Sequence, residues 1–150
     1  MNIAAFSSEC QSCTNRFEIP VLSDFSYGKF IAKGKSGKTF AYLNAIEHET
    51  EWDSIEEIYN EICELDAKLI KNTDAFQYLV GRCMNRVNGE ELSIIRKWVC
   101  PECQSEDVRV ELGEAVGLMN MEDVSFSEFL SVSEDGKRKL LRQYLQEYVP

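Results

Sequence analysis

The chain has 150 residues, of which 44% are apolar, and this is enough for one globular domain with a buried core. No apolar run approaches the roughly 20 residues that a membrane-spanning helix needs, and the N-terminus lacks a basic region followed by a long apolar stretch, so we expect a cytoplasmic protein without a membrane partner. The formal net charge of −10 disfavours broad contacts with nucleic acid and favours a basic protein partner.

The first third of the chain predicts β-structure. Residues 16–25 and 26–34 are rich in β-branched and aromatic side chains, and so are residues 38–46, which follow the turn sequence "GKSG". The stretch "AKGKSGKT" also resembles a phosphate-binding loop, with Ala32 in place of its first glycine. Such a loop requires a helix after it, and the sequence that follows Thr39 is a poor helix start without a cap. We therefore predict a hairpin, and we keep a nucleotide enzyme only as a less favoured alternative.

The middle of the chain predicts two helices. Ser54 and Glu57 form a capping box, and apolar residues then recur at helical spacing as far as Leu69. A second helix is predicted from Thr73 or Asp74 to the "NG" pair at residues 88–89.

The remaining third mixes both types of element. Residues 92–100 and 107–112 predict strands, residues 125–132 predict a short helix, and residues 133–149 predict a longer one. The fold class is therefore α+β.

Four of the six cysteines form two C-x-x-C pairs, "CQSC" and "CPEC". In a reduced compartment this pattern predicts one tetrahedral metal site with four thiolate ligands, and zinc is expected, with iron as the open alternative. Four thiolates leave no position for water, so the expected role is structural. The predicted ligands are Cys10, Cys13, Cys100 and Cys103.

Cys63 and Cys83 lie in or beside apolar helix stripes and are predicted to be core residues. The single histidine, His48, has no other ligand-type pattern near it and is given no role.

The two pairs, each flanked by β-like sequence, resemble the knuckles of a zinc ribbon or rubredoxin-like fold. The resemblance implies two knuckles on β-hairpins that close over one metal ion. Thr14 and Gln104 occupy positions where such knuckles commonly carry glycine. The knuckle halves would be residues 6–24 and 95–113, and the ribbon would be discontinuous, since residues 25–94 would form an inserted β-hairpin and two helices. Residues 122–150 would add a C-terminal helical segment to the single domain.

Acidic residues are concentrated in the first predicted helix. From Glu47 to Asp66 the chain has nine carboxylates and neither lysine nor arginine. Asp53, Glu57, Glu61 and Glu64 share one helix face, and like charges at this spacing repel each other. A solvated surface explains part of this pattern and a basic partner would explain the rest. Trp52 and Tyr59 would be aromatic anchors at the edge of such a surface.

The favoured function is a non-catalytic, acidic, zinc-binding interaction module. An inhibitor or immunity-type protein that masks a basic, nuclease-like partner would have this size and charge. The alternative is a zinc-ribbon adaptor that contacts nucleic acid or the transcription machinery through the basic hairpin, with Lys33, Lys35 and Lys38 as the contacts. A second basic cluster, at residues 137–142, is predicted to be the solvated face of the last helix.

Overall fold

The computed structural model describes residues 1–23 and 26–150, and these form two four-stranded sheets and four helices. The strands are β1 (Asn2–Cys10), β2 (Arg16–Pro20), β3 (Lys29–Gly34), β4 (Phe40–Asn44), β5 (Leu92–Ile94), β6 (Val108–Val110), β7 (Gly117–Asn120) and β8 (Glu122–Asp123). The helices are α1 (Glu49–Leu65), α2 (Thr73–Cys83), α3 (Ser127–Leu130) and α4 (Glu134–Glu147). The α+β class is therefore confirmed. The end of the strand predicted over residues 16–25, and the predicted boundary between residues 24 and 25, fall outside the described residues.

The first sheet is built around β1. β2 pairs antiparallel with one edge of β1, while β6 and β7 share the other edge, β6 beside Cys10 and β7 beside Asn2. Neither β1 nor β7 was predicted as a strand from its residues. β1 is rich in alanine and serine, which have weak strand preference, so its conformation depends on pairing with neighbours on both sides. Cys10 consequently ends the central strand of this sheet.

The second sheet has the order β5-β3-β4-β8 and contains the lysine-rich turn. β3 and β4 form an antiparallel hairpin, in which the Gly34 N–H donates to the Thr39 carbonyl at 2.9 Å. Gly37 in the turn has a φ of 74°, a conformation that glycine adopts without steric cost. The predicted hairpin is confirmed. The alternative phosphate-binding loop is wrong, because the chain continues into a strand where that motif requires a helix.

The helices differ from prediction at their ends. α1 begins at Glu49 rather than near Ser54, because the His48 carbonyl already accepts the first helical hydrogen bond, from the Trp52 N–H at 2.9 Å. α2 begins at Thr73 as predicted but ends at Cys83, because the backbone of Met84 is extended, with a ψ of 145°. Residues 87–90 form a separate turn with positive φ at residues 88 and 89. The two predicted C-terminal helices are confirmed as α3 and α4.

The two strands predicted around the second cysteine pair are shorter than expected. Only Leu92–Ile94 and Val108–Val110 pair as strands, and the intervening residues lead into and out of the second knuckle. Within the described part of the chain, no helix combines the length and the apolar character that crossing a bilayer requires.

The main core lies between the second sheet and the helices. It contains 21 buried residues, among them Ile55, Leu79, Leu92 and Leu141, and none of them belongs to β1, β2, β6 or β7. The first sheet joins the rest of the molecule through a smaller buried cluster of Ile3, Ile31, Tyr42 and Met121. The cysteine pairs therefore lie in the part of the molecule with less apolar burial.

Candidate metal centre

The two C-x-x-C pairs, about 90 residues apart in sequence, meet at one point. The sulfur atoms of Cys10, Cys13, Cys100 and Cys103 all lie within 4.8 Å of one another. The Cys10 and Cys103 sulfurs are 3.5 Å apart, and so are those of Cys13 and Cys100. None of the four forms a disulfide bond within the described part of the chain. The four predicted ligands are thus positioned to hold a metal ion.

Each pair is held in a turn with the same backbone hydrogen bonds. In the first knuckle, the Cys10 N–H donates to the Asn15 carbonyl and the Thr14 N–H donates to the Cys10 carbonyl, both at 2.9 Å. In the second, Cys100 and Ser105 pair in the same way, and the Gln104 N–H donates to the Cys100 carbonyl, again at 2.9 Å. The two turns therefore share one backbone hydrogen-bond pattern. The first turn joins the paired strands β1 and β2, as expected, whereas the second lies between β5 and β6, which belong to different sheets, so the hairpin expected at the second knuckle is wrong.

Thr14 and Gln104 take the left-handed conformation that glycine commonly supplies. Their φ angles are 63° and 62°. A side chain in this region costs about 1 kcal/mol or more, and the cost is greater for a β-branched residue such as threonine. Both turns nonetheless keep this geometry, so the surrounding hydrogen bonds outweigh the strain.

Strand pairing brings the two knuckles together. In the pairing of β1 with β6, Cys10 lies opposite Val108. Cys10 is the first residue of the first knuckle, and Val108 follows the second knuckle. The Gln11 N–H donates to the Asp107 carbonyl at 2.8 Å, and the hydroxyl groups of Ser12 and Ser105 are 2.8 Å apart. These contacts were not predicted, because nothing in the sequence around Ser12 or Ser105 indicates its partner.

The knuckles bury their cysteines unequally. The first cysteine of each pair, Cys10 or Cys100, is fully buried, whereas the second, Cys13 or Cys103, is exposed. The Asn15 side-chain amide also lies 3.9 Å from the Cys100 sulfur, as a weak donor to it. The first cysteine of each pair therefore faces the interior and the second closes the site from solvent.

The thiol pKa values diverge within each pair. The backbone N–H of Cys13 lowers the pKa of Cys10 despite its burial. Burial would raise the pKa of Cys100, but the backbone N–H groups of Cys103 and Glu102, together with neighbouring thiols, lower it to about 6. The backbone N–H of Asn15 acts to lower the pKa of Cys13, yet burial and the adjacent thiols raise it to about 12. The buried thiols of the two pairs are thus the ones that their surroundings favour as thiolates.

The remaining cysteines do not join this cluster. Cys83 is buried in the main core, and burial raises the pKa of its thiol to about 12. Cys63 packs against the same core, and burial raises its pKa as well. The prediction as a core residue is confirmed for Cys83, whereas Cys63 is partly buried at the edge of the core.

The acidic residues of α1 lie where the sequence predicts them. We call Asp53, Glu57, Glu61 and Glu64 the acidic α1 surface, and all four are exposed. Arg138 of α4 donates to the Glu61 carboxylate at 2.8 Å. One carboxylate of this surface is thus already paired within the molecule, while the other three have no ion pair among the described residues.

The two aromatic residues predicted as anchors belong instead to the core and its edge. Tyr59 is only 4% exposed, and its hydroxyl donates to the Ile70 carbonyl at 2.9 Å. Trp52 is partly buried, with its ring centroid 5.5 Å from that of Phe30 and 5.1 Å from that of Phe76. Neither ring stands free beside the carboxylates, so we correct their assignment and leave both out of the surface.

The two basic clusters also differ from each other. Lys35 and Lys38 are exposed on the hairpin turn and Lys33 is partly exposed on β3. Lys137 is 8% exposed, pairs with Glu134 at 3.0 Å and lies over the Phe129 ring, so its prediction as a solvated residue is wrong. The hairpin therefore presents more available positive charge than the start of α4.

Comparison with known proteins gives no relative for this chain. No family model matches it, and neither a curated protein nor a solved structure does so at a significant level.

Proposed function

We propose that the four cysteines bind one zinc ion as thiolates. A tetrahedron with Zn–S bonds of about 2.3 Å has S–S edges of about 3.8 Å. The Cys10–Cys103 and Cys13–Cys100 sulfur pairs, at 3.5 Å, need only a small expansion to reach this geometry. The convergence of two distant C-x-x-C pairs on one point is the observation that carries the proposal.

The zinc has a structural role in this proposal. Four protein ligands fill a tetrahedral site and leave no position for a substrate or a reactive water. The bonds tie the end of β1 to the turn before β6, across the whole inserted hairpin and helical region. Closing so long a loop removes much conformational freedom from the unfolded chain. We therefore propose no catalytic step at this centre.

Native mass spectrometry on the untagged chain tests the metal assignment. We expect one zinc per chain, which is lost in a chelator, and mass alone separates zinc from iron. Cys100→Ser removes a ligand and should abolish stoichiometric binding, whereas Cys63→Ser changes a cysteine outside the cluster and should leave one zinc bound. Equal zinc content in the two variants would disprove the site.

The fold held by this zinc serves, we propose, as a non-catalytic interaction module for a basic partner. The acidic α1 surface supports this, because Asp53, Glu57 and Glu64 are exposed without an ion pair among the described residues. Opposite charge speeds association and selects against partners of the wrong sign. A role as an inhibitor or immunity-type protein, which masks the basic surface of a nuclease-like partner, agrees with the size and charge of the chain.

Charge reversal tests this surface. Glu57→Lys combined with Glu64→Lys should remove a basic binding partner from crosslinked cell extracts, measured by quantitative mass spectrometry. Glu111→Lys combined with Glu114→Lys is the matched control, because both residues are exposed and outside α1. A partner that both double variants lose equally would indicate a response to net charge alone and would contradict the surface. Retention of all partners would contradict it as well.

A further inference from the structure

A groove lies between the hairpin and the second knuckle. It has a volume of about 1200 Å³ and is lined by β2, the β3–β4 turn, the residues around the end of α2, and the segment from Trp98 to Gln104. None of its lining residues belongs to the acidic α1 surface. The inference drawn from it thus goes beyond the partner proposed above.

The charge of the groove differs from that of the whole chain. Five cationic and four acidic side chains line it, whereas the chain as a whole carries −10. The two arginines both pair with the Glu91 carboxylate, which offsets one of their two charges. Lys33, Lys35 and Lys38 have no ion pair within residues 1–23 and 26–150. Three lysines are therefore available to an anionic ligand along the hairpin side.

Aromatic rings line the same groove. Phe17 of β2, Phe40 of β4 and Trp98 are all partly exposed. The ring centroids of Phe40 and Trp98 are 6.2 Å apart, with their planes inclined by 50°. Flat, partly exposed rings beside lysines suit a ligand with both flat apolar surfaces and negative charge. An acidic peptide would use the lysines but would gain less from the rings.

Glu90 holds the lysine-bearing turn in place. Its carboxylate accepts hydrogen bonds from the Ser36 N–H at 2.6 Å, the Ser36 hydroxyl at 3.0 Å and the Thr39 hydroxyl. These bonds connect the turn to the residues that precede β5. The turn is thus fixed before any ligand arrives, and less entropy is lost on binding.

We propose that this groove binds a short segment of single-stranded nucleic acid. Its bases would stack on Trp98, Phe40 and Phe17 while Lys33, Lys35 and Lys38 contact phosphates. Stacking on aromatic rings tolerates any base and contributes a large part of affinity in single-strand sites. The acidic remainder of the chain repels an extended duplex, whereas a segment of a few nucleotides fits within the groove, where cationic side chains outnumber acidic ones by five to four. The strand is therefore recognised by its unpaired bases.

The first test measures binding of a fluorescein-labelled 12-nucleotide single strand to the zinc-loaded chain by anisotropy, over a range of salt. Three phosphate contacts predict a slope of about −2 in log K against log salt, so affinity should fall about 20-fold between 50 and 200 mM. Lys35→Gln combined with Lys38→Gln should reduce the slope to about one third of this value. Lys139→Gln combined with Arg142→Gln removes the same charge from exposed positions on α4 and should leave the slope unchanged.

The second test examines stacking. Trp52→Phe keeps an aromatic ring in the core and leaves Trp98 as the only tryptophan. The single strand should quench Trp98 fluorescence, while polyphosphate, which lacks bases, should not. Binding without quenching, or equal quenching by polyphosphate, would overturn the stacking arrangement.

Three further results would overturn the proposal. They are absence of binding to the single strand, equal affinity for the same sequence as a duplex, and equal competition by polyglutamate, which would assign the groove to an acidic peptide. Charge reversal on the acidic α1 surface leaves the groove intact, so failure of the partner proposal and failure of this one are distinguishable.

Discussion

The first sheet and the helical core are stabilised in different ways. The core packs 21 buried residues from the second sheet and the helices against one another. The first sheet contributes none of these, and it exposes Leu112, Val116 and Leu118 at or beside its edge strands. It carries instead the four-cysteine cluster. The difference supports the proposal that metal ligation by these cysteines replaces apolar burial in the region where burial is small.

Metal removal should separate the two regions most strongly. Zinc in a four-thiolate site contributes about 10 kcal/mol or more to folding of the segment that it holds. After chelation we expect amide hydrogens of β1 and β6 to lose protection, while those of α2 and β3 keep theirs, as measured by hydrogen exchange with mass spectrometry. Readdition of zinc should restore the protection of β1 and β6. Loss of amide protection in both regions would show that the core also depends on the metal. Unchanged protection in both regions would show that the first sheet does not depend on the metal.

A substitution in the helical core should lower the free energy of unfolding and leave the metal site unchanged. Gly81 packs α2 closely against β5, and a Cβ atom there would lie 2.8 Å from the Leu92 carbonyl oxygen. Gly81→Ala should lower the free energy of unfolding by about 1 to 2 kcal/mol, because overpacking exceeds the gain in helix propensity. The zinc content should stay at one per chain, as determined by native mass spectrometry beside urea denaturation.

Gly113→Ala is the matched control for this change, since nothing lies within 4 Å of the Cβ position at Gly113. It should change the free energy of unfolding by less than about 0.5 kcal/mol. Similar losses in the two variants would show that the effect at Gly81 comes from glycine replacement as such and not from the contact with β5.

The smallest expected effect compares the two knuckles with each other. Thr14 and Gln104 have nearly the same positive φ, but only threonine is β-branched. Relief of backbone strain in Thr14→Gly should exceed the entropy cost of glycine, and should stabilise the zinc-loaded chain by about 0.5 kcal/mol. Gln104→Gly should have a smaller effect or none. Denaturation at fixed free zinc measures both, and clear destabilisation by Thr14→Gly would indicate that its hydroxyl bond to the Cys13 carbonyl, at 2.6 Å, outweighs the strain.

Much of the candidate metal site was predictable because its signal is local. The spacing of two residues between the cysteines of a pair determines the geometry of its turn, so each turn can be recognised from its own sequence. The hairpin at Gly37 and the apolar stripes of α1, α2 and α4 are local in the same sense. The start of α1 was not predictable from its capping box, because the backbone after His48 is already helical when the chain reaches Ser54.

Contacts between distant segments needed the tertiary structure. Lys137 has the composition of a surface residue, yet α4 packs it beside Phe129. Trp52 lies next to acidic residues in sequence, yet its ring stacks on Phe30. In both cases burial depends on which element lies opposite, and the residues next to Lys137 or Trp52 in sequence do not indicate that element.

The sequence by itself determined the α+β class, the lysine hairpin, the helical stripes and the identity of the four cysteines. Only the tertiary structure decided that β1 is the central strand that joins the two knuckles. It also decided that Arg138 forms an ion pair with one carboxylate of the acidic α1 surface, and that three aromatic rings and three lysines line one groove. The physical reason is the range of the interactions. Turn geometry and helix periodicity act over a few residues, whereas strand pairing and packing join segments that only the folded chain brings into contact.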